Sequence, residues 1–202
     1  MGAGALPVSL HPAEHRALRE LHATARQLAR HWSRLATRLG AGPAPLLRDG
    51  ADAARELLRE LEPRTAALGI HGLPAAQGAG RSLAGLRMAG DVLLERNQAL
   101  RGALLDLHHV ITLVIWLAAL ADRRSDTALA GWLRGWETRL SPLEERGRDA
   151  VVALASEPDA AIEPAEPGML GRAGASVSNA FGTMGEAFDQ SPLGRMARRR
   201  AD

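Results

Sequence analysis

The chain has 202 residues, of which 46% are hydrophobic, mostly Ala and Leu, with 3% aromatics and no Tyr. That composition supports a core, favours helix over strand and excludes global disorder. There is no Cys, which excludes disulfides, thiolate metal centres, iron–sulfur clusters and cysteine nucleophiles. All 25 basic residues are Arg and the formal net charge is only +2, so lysine-based covalent chemistry and a phosphate-loop Lys are excluded as well.

Residues 1–12 lack a basic start and a long apolar run, so no secretory signal is expected and the chain reads as cytoplasmic. A first helix is predicted from Pro12 to Leu39, with Pro12 in its first turn and Ser9 or His11 as the cap. Leu18, Leu21, Ala25, Leu28, Trp32, Leu35 and Leu39 recur at alternating spacings of three and four, the seam of a helix packed on near-parallel neighbours. Gly40-Ala41-Gly42-Pro43 stops it. A second helix is predicted over Pro45–Leu61, with Leu47, Ala51, Ala54, Leu58 and Leu61 on one side. Pro63 should break or kink it, and Gly69–Arg81 reads as a loop.

The longest element is predicted from Ser82 to Ala121. Its seam runs through Leu83, Leu86, Gly90, Leu93, Asn97, Leu100, Leu104, Leu107, Ile111, Val114 and Ala118, for a length of about 55–60 Å at 1.5 Å per residue. Asn97 on that seam either fixes register or faces a solvated gap. The most apolar run, Val110–Ala121, is shorter than the roughly 20 residues of a membrane span and reads as a buried core helix. A fourth helix carries Leu129, Trp132, Leu133, Trp136 and Leu140. Ser141-Pro142-Leu143-Glu144 then matches a capping box with Pro in first position, which predicts a break there and a new or kinked helix to about Ser156.

Residues 1–156 therefore read as an all-α, up-down four-helix bundle with its fourth helix broken near Ser141-Pro142. Residues 157–168 form a Pro/Glu-rich linker, and 169–202 a flexible C-terminal tail. Within the tail, Leu170, Val177, Phe181, Met184 and Phe188 lie at helical spacing. Gly171, Gly174, Gly182 and Gly185 each cost a free helix about 1 kcal/mol relative to Ala, so this segment should fold only when docked. It ends in Arg195, Arg198, Arg199 and Arg200.

Few residues point to chemistry. Ferritin-like metal bundles use Glu on two helices and Glu-x-x-His on two others, and no Glu-x-x-His occurs. The nearest set is Asp106 and His109 on the third helix with Glu14 and His15 on the first, flanked by His11 and His22; capping or half-exposed histidines are the plainer reading. No nucleophile elbow, zinc-protease motif or phosphate loop is present, and Gly78 and Gly80 are a loop doublet with no preceding strand. The Glu residues interleaved with Arg at 56–62 and 144–148 read as a solvated face with i,i+4 pairs.

No catalytic residue and no cofactor are assigned. Trp132 and Trp136, one turn apart, are either core or an exposed aromatic ridge. Trp116 lies off the seam beside Leu113 and Leu117, where the helix is apolar all round, which marks a second interface. The tail stripe Leu170, Val177, Phe181, Met184 and Phe188, with Arg198, Arg199 and Arg200, fits a partner or a membrane surface better than nucleic acid, for which base-stacking aromatics are lacking.

The layout of helical bundle, Pro/Glu linker and short terminal peptide resembles, in architecture only, cargo proteins tethered inside bacterial protein shells. The expected function is that of a non-enzymatic helical interaction or scaffold protein that self-associates and docks by its tail. The alternatives are a metal-binding, ferritin-like bundle and a peripheral membrane protein.

Overall fold

In the computed structural model, residues 10–70 and 94–165 are described. The tail stripe, the Leu83–Leu93 part of the long seam and the loop at 71–81 lie outside them. All regular structure among the described residues is helical, apart from one isolated bridge between Glu95 and Pro164.

Helix α1 (Pro12–Arg38) starts as its sequence dictates. Pro12 sits in the first turn, where its missing N–H is no loss, and His11 Nδ1 caps the Ala13 N–H at 3.2 Å. The seam residues Leu18, Leu21, Ala25, Leu28, Trp32, Leu35 and Leu39 are all buried. Gly40 follows in the left-handed region at φ +76° and turns the chain into α2 (Ala44–Ala67).

α2 outlasts its predicted end, because Pro63 stands inside it rather than ending it. The Pro63 ring is exposed, and Leu61 and Thr65 on either side are buried in the core. Thr65 Oγ1 donates to the Leu61 carbonyl and meets His22 Nε2 at 2.8 Å, so tertiary contacts hold the last turn in place.

Helix α3 (Arg96–Arg123) begins where the Glu95 N–H donates to Gln98 Oε1. Asn97 plays neither role expected of it. Its amide donates to Glu95 Oε2 and to the Ala161 carbonyl, while its oxygen accepts from Arg101. It clasps the turn at Ala161 to the start of α3, beside the Glu95–Pro164 bridge.

Helix α4 (Thr127–Ala153) starts at Asp126, whose carboxylate accepts from the Leu129 N–H at 3.0 Å. The break expected at Ser141-Pro142 does not occur, and α4 runs through it. Leu140 and Leu143 are buried on either side, Pro142 faces solvent, and Ser141 Oγ donates back to the Glu137 carbonyl at 2.9 Å. Burial of two leucines outweighs the one backbone hydrogen bond that proline removes. A 3-10 turn (Leu154–Ser156) and a one-turn helix α5 (Pro158–Ala161) follow.

Side-chain contacts fix the directions of the four long helices. His22 meets Thr65, and Gly50 lies under Trp32, so α1 and α2 are antiparallel. Glu14 meets Arg124 and His31 meets Asp106, so α1 and α3 are antiparallel too. Glu144 pairs with His108, and Asp122 with Arg134, which sets α4 against α3. Asp49–Arg146 and Glu56–Arg139 do the same for α4 and α2.

It follows that α2 and α3 run in the same direction, which departs from a simple up-and-down succession. The chain leaves α2 beside the start of α1 and enters α3 beside its end, where Arg96 donates to the Leu39 carbonyl. One continuous core, from Ala17 on α1 to Leu143 on α4, lies between the four helices.

Candidate interaction site

α3 is sandwiched between α1 and α4, so it must bury an arc wider than one seam. Val110, Leu113, Val114 and Leu117 all face inward, and Leu117 is fully buried. The trio expected to form an interface therefore divides: Leu113 and Leu117 belong to the core, and Trp116 alone stands out, 45% exposed. Two residues missed in the sequence join it on the outer side, Ile115 at 45% and Leu105 at 64% exposure.

Their signal was present. Positions 105, 112, 116 and 119 repeat at three, four and seven, a second stripe beside the first. By length and composition α3 could cross a membrane, yet half of its apolar stretch is buried in the core. An open depression of about 480 Å³ adjoins the stripe, between Thr24 and Gln27 of α1 and Leu105, His109 and Thr112 of α3.

Trp132 and Trp136 do not form an outward ridge. Trp136 is buried, Trp132 is half-buried, and both indole N–H groups donate to Glu60 Oε2, at 2.7 and 3.1 Å. Arg64 lies 4.5 Å over the Trp132 ring and Arg139 3.9 Å over that of Trp136, both cation–π contacts. The Trp132 hydrogen bond above all, with those from Trp136 and the charges of Arg139 and Arg64, holds the Glu60 carboxyl below the usual carboxylate range. This cluster is a clasp between α2 and α4. In the sequence Glu60 reads as part of an ordinary solvated face, since nothing local links it to tryptophans on another helix.

The candidate metal ligands are not brought together. Glu14 is buried, and its carboxylate accepts from Arg124 at 2.8 Å. His15, next to it, is half-buried. Asp106 lies 2.7 Å from His31 Nδ1, not beside a metal-ready His109, whose Nε2 instead meets Glu20 at the surface at 3.0 Å.

Glu14 and His31 are 17 positions apart on α1, about 25 Å along the helix, and Asp106 sits at the height of His31. Among the described residues no group of three or more His, Asp or Glu is placed to hold a metal ion. His31 was overlooked because it falls one position before Trp32, off the first seam but on the side that faces α3. The tail positions Leu170, Val177, Phe181, Met184, Phe188, Arg198, Arg199 and Arg200 lie outside the described residues.

No known protein family matches the chain, and no curated protein or solved structure is similar to it.

Proposed function

We propose that the protein is a non-enzymatic helical interaction protein, a four-helix bundle of up-down-down-up order, that self-associates in the cytoplasm through the outer face of α3. The observation that carries the reading is the exposure of Leu105, Ile115 and Trp116 on one helix whose opposite side is core. Three large apolar side chains on one outer helix face, two of them on the 105/112/116/119 stripe and Ile115 beside it, are more than the scattered exposed residues of an ordinary surface.

The stripe also suits a two-fold partner. Leu105 and Ala119 lie seven positions either side of Thr112, so an antiparallel copy of α3 centred there sets a large side chain against a small one at each end. Trp116 then faces His108, and a tryptophan at the middle of a contact supplies a disproportionate share of its energy. The tail at 169–202, with its apolar stripe and arginine end, serves in this reading as a separate docking element.

Light scattering coupled to size exclusion tests the proposal. The full chain is expected to elute as a dimer, and Ile115→Ser/Trp116→Ser as a monomer with an unchanged far-ultraviolet circular dichroism spectrum, since both side chains already face solvent. A monomeric native chain at every concentration tested overturns the reading.

A further inference from the structure

Helix α1 carries a second exposed feature, which no function above uses. It holds Arg16, Arg19, Arg26, Arg30, Arg34 and Arg38 against only two acids, Glu14 and Glu20. The other long helices balance their arginines with similar numbers of Asp and Glu. At 100° per residue, Arg16, Arg19, Ala23, Arg26 and Arg30 fall within an arc of about 80°. The two acids are turned elsewhere: Glu14 is buried against Arg124 and Glu20 faces His109 of α3.

α2 and α3 flank the other sides of α1, so this arc is its solvent face. Arg16, Arg19 and Arg30 are exposed and Arg26 half-exposed. None of the four has an ion-pair or hydrogen-bond partner among the described residues. Most arginines on the other long helices are matched, among them Arg55 with Asp52, Arg59 and Arg139 with Glu56, Arg146 with Asp49, and Arg148 with Glu144, while Arg48 and Arg123 stand singly on separate helices. Among the described residues, unmatched positive charge is thus concentrated on the outer face of α1, although the formal net charge of the whole chain is only +2.

We propose that the outer face of α1 is a docking surface for an anionic lipid bilayer, with Arg16, Arg19, Arg26 and Arg30 meeting lipid phosphates. From Arg16 to Arg30 the four positions span about 21 Å along one outer helix face, so all of them can meet a plane of headgroups at once. Each guanidinium pairs with phosphate through planar, bidentate donors, and each basic side chain near an anionic leaflet adds to binding. A nucleic-acid duplex fits less well. The face offers no aromatic platform and no amide between the arginines to read a base. The row is separate from the α3 stripe, so a self-associated form can present it as well.

Vesicle co-sedimentation of the full chain at about 0.15 M salt tests the assignment. The native chain is expected to bind phosphatidylserine-containing vesicles, to ignore pure phosphatidylcholine, and to release as salt rises. The variant Arg16→Gln/Arg19→Gln/Arg26→Gln/Arg30→Gln should bind more than roughly tenfold more weakly. Arg55→Gln/Arg59→Gln/Arg146→Gln/Arg148→Gln, with the same change in net charge, should bind as the native chain does. Glutamine keeps helix propensity, so circular dichroism should show both variants folded.

Three outcomes overturn the proposal. One is a native chain that ignores anionic vesicles, and another is equal loss in the two variants. The third is binding to a DNA duplex that depends on Arg16, Arg19, Arg26 and Arg30 and exceeds binding to vesicles. The arginines of the tail are common to both variants and cannot produce a difference between them.

Discussion

The α1/α2 and α3/α4 pairs use the same device for close approach, with opposite consequences. In each pair a glycine of one helix lies against a large side chain of the other: Gly50 under Trp32, and Gly147 against Leu104. Neither glycine is required by its backbone, since both lie within regular helices. The difference is in the partner. Trp32 is fully buried and its indole N–H donates to the Ala103 carbonyl of α3 at 3.1 Å, so the ring is fixed from two sides. Leu104 is half-buried, and the atom nearest Gly147 is its terminal Cδ2, free to turn toward solvent. Close packing is rigid where the partner side chain is tied to a third helix, and adjustable where it is not.

Gly50→Ala should therefore have the largest effect. A Cβ at this position would fall inside the contact distance of Cε3 and Cζ3 of the Trp32 ring. Overpacking costs about 1–3 kcal/mol or more, and the gain of about 1 kcal/mol in helix propensity offsets only part of it. A net loss near 2 kcal/mol is expected, read as a fall of roughly 4–8 °C in melting temperature for a domain of this size. An unchanged melting temperature would show that Trp32 is not pinned, and the contrast with Leu104 would collapse.

The α1/α2 pair should also respond to pH. His22 is buried between the two helices. The Thr65 hydroxyl donates to the Leu61 carbonyl, so its oxygen accepts from His22 Nε2–H, and Nδ1 carries no proton and has no partner. Burial, opposed by Glu62 and assisted by Arg26, lowers the His22 pKa below its ordinary 6.5. Between the folded and unfolded values the unfolded chain binds the extra proton, so stability rises with pH there. The His22 contribution is complete above about 6.5 and lost as the pH falls below it. His22→Gln keeps a donor to Thr65 and cannot titrate. Melting curves at pH 7.5 and 5.0 should show a smaller acid loss in the variant than in the native chain; equal losses would remove His22 from the account.

The same contrast explains what was legible in the sequence. The seam of α1 was readable because burial there follows one period, and every residue assigned to it is buried. All-helical structure was readable for the same reason. What escaped depends on a third element. The continuity of α4 through Pro142 is decided by Leu140 and Leu143 packing inward, not by the local capping pattern. The pairing of Asp106 with His31, and of Glu60 with Trp132 and Trp136, joins residues far apart in the chain. Leu113 and Leu117 were assigned to an outer face because one seam was counted where α3 serves two neighbours. The direction of α3 relative to α2 is set by that same double packing, and no local signal carries it.

Gly147→Ala is the smallest effect and the most discriminating. Its Cβ would meet Leu104 Cδ2 at a distance as forbidding as that at Gly50, so on distance alone the two substitutions should cost the same. Leu104 can respond by turning its Cδ2 end toward solvent while Cγ, 3.3 Å from the added Cβ, gives by a few tenths of an ångström, at a cost of about 0.5–1.5 kcal/mol if the side chain leaves its rotamer well. The propensity gain of about 1 kcal/mol in mid-helix then nearly cancels it. The expected melting temperature lies within about 2 °C of the native one. A loss as large as that of Gly50→Ala would mean that Leu104 is held as firmly as Trp32. In that case α3 and α4 would be locked together by the Leu104–Gly147 contact itself, and the outer face of α3 would rest on a rigid support rather than an adjustable one.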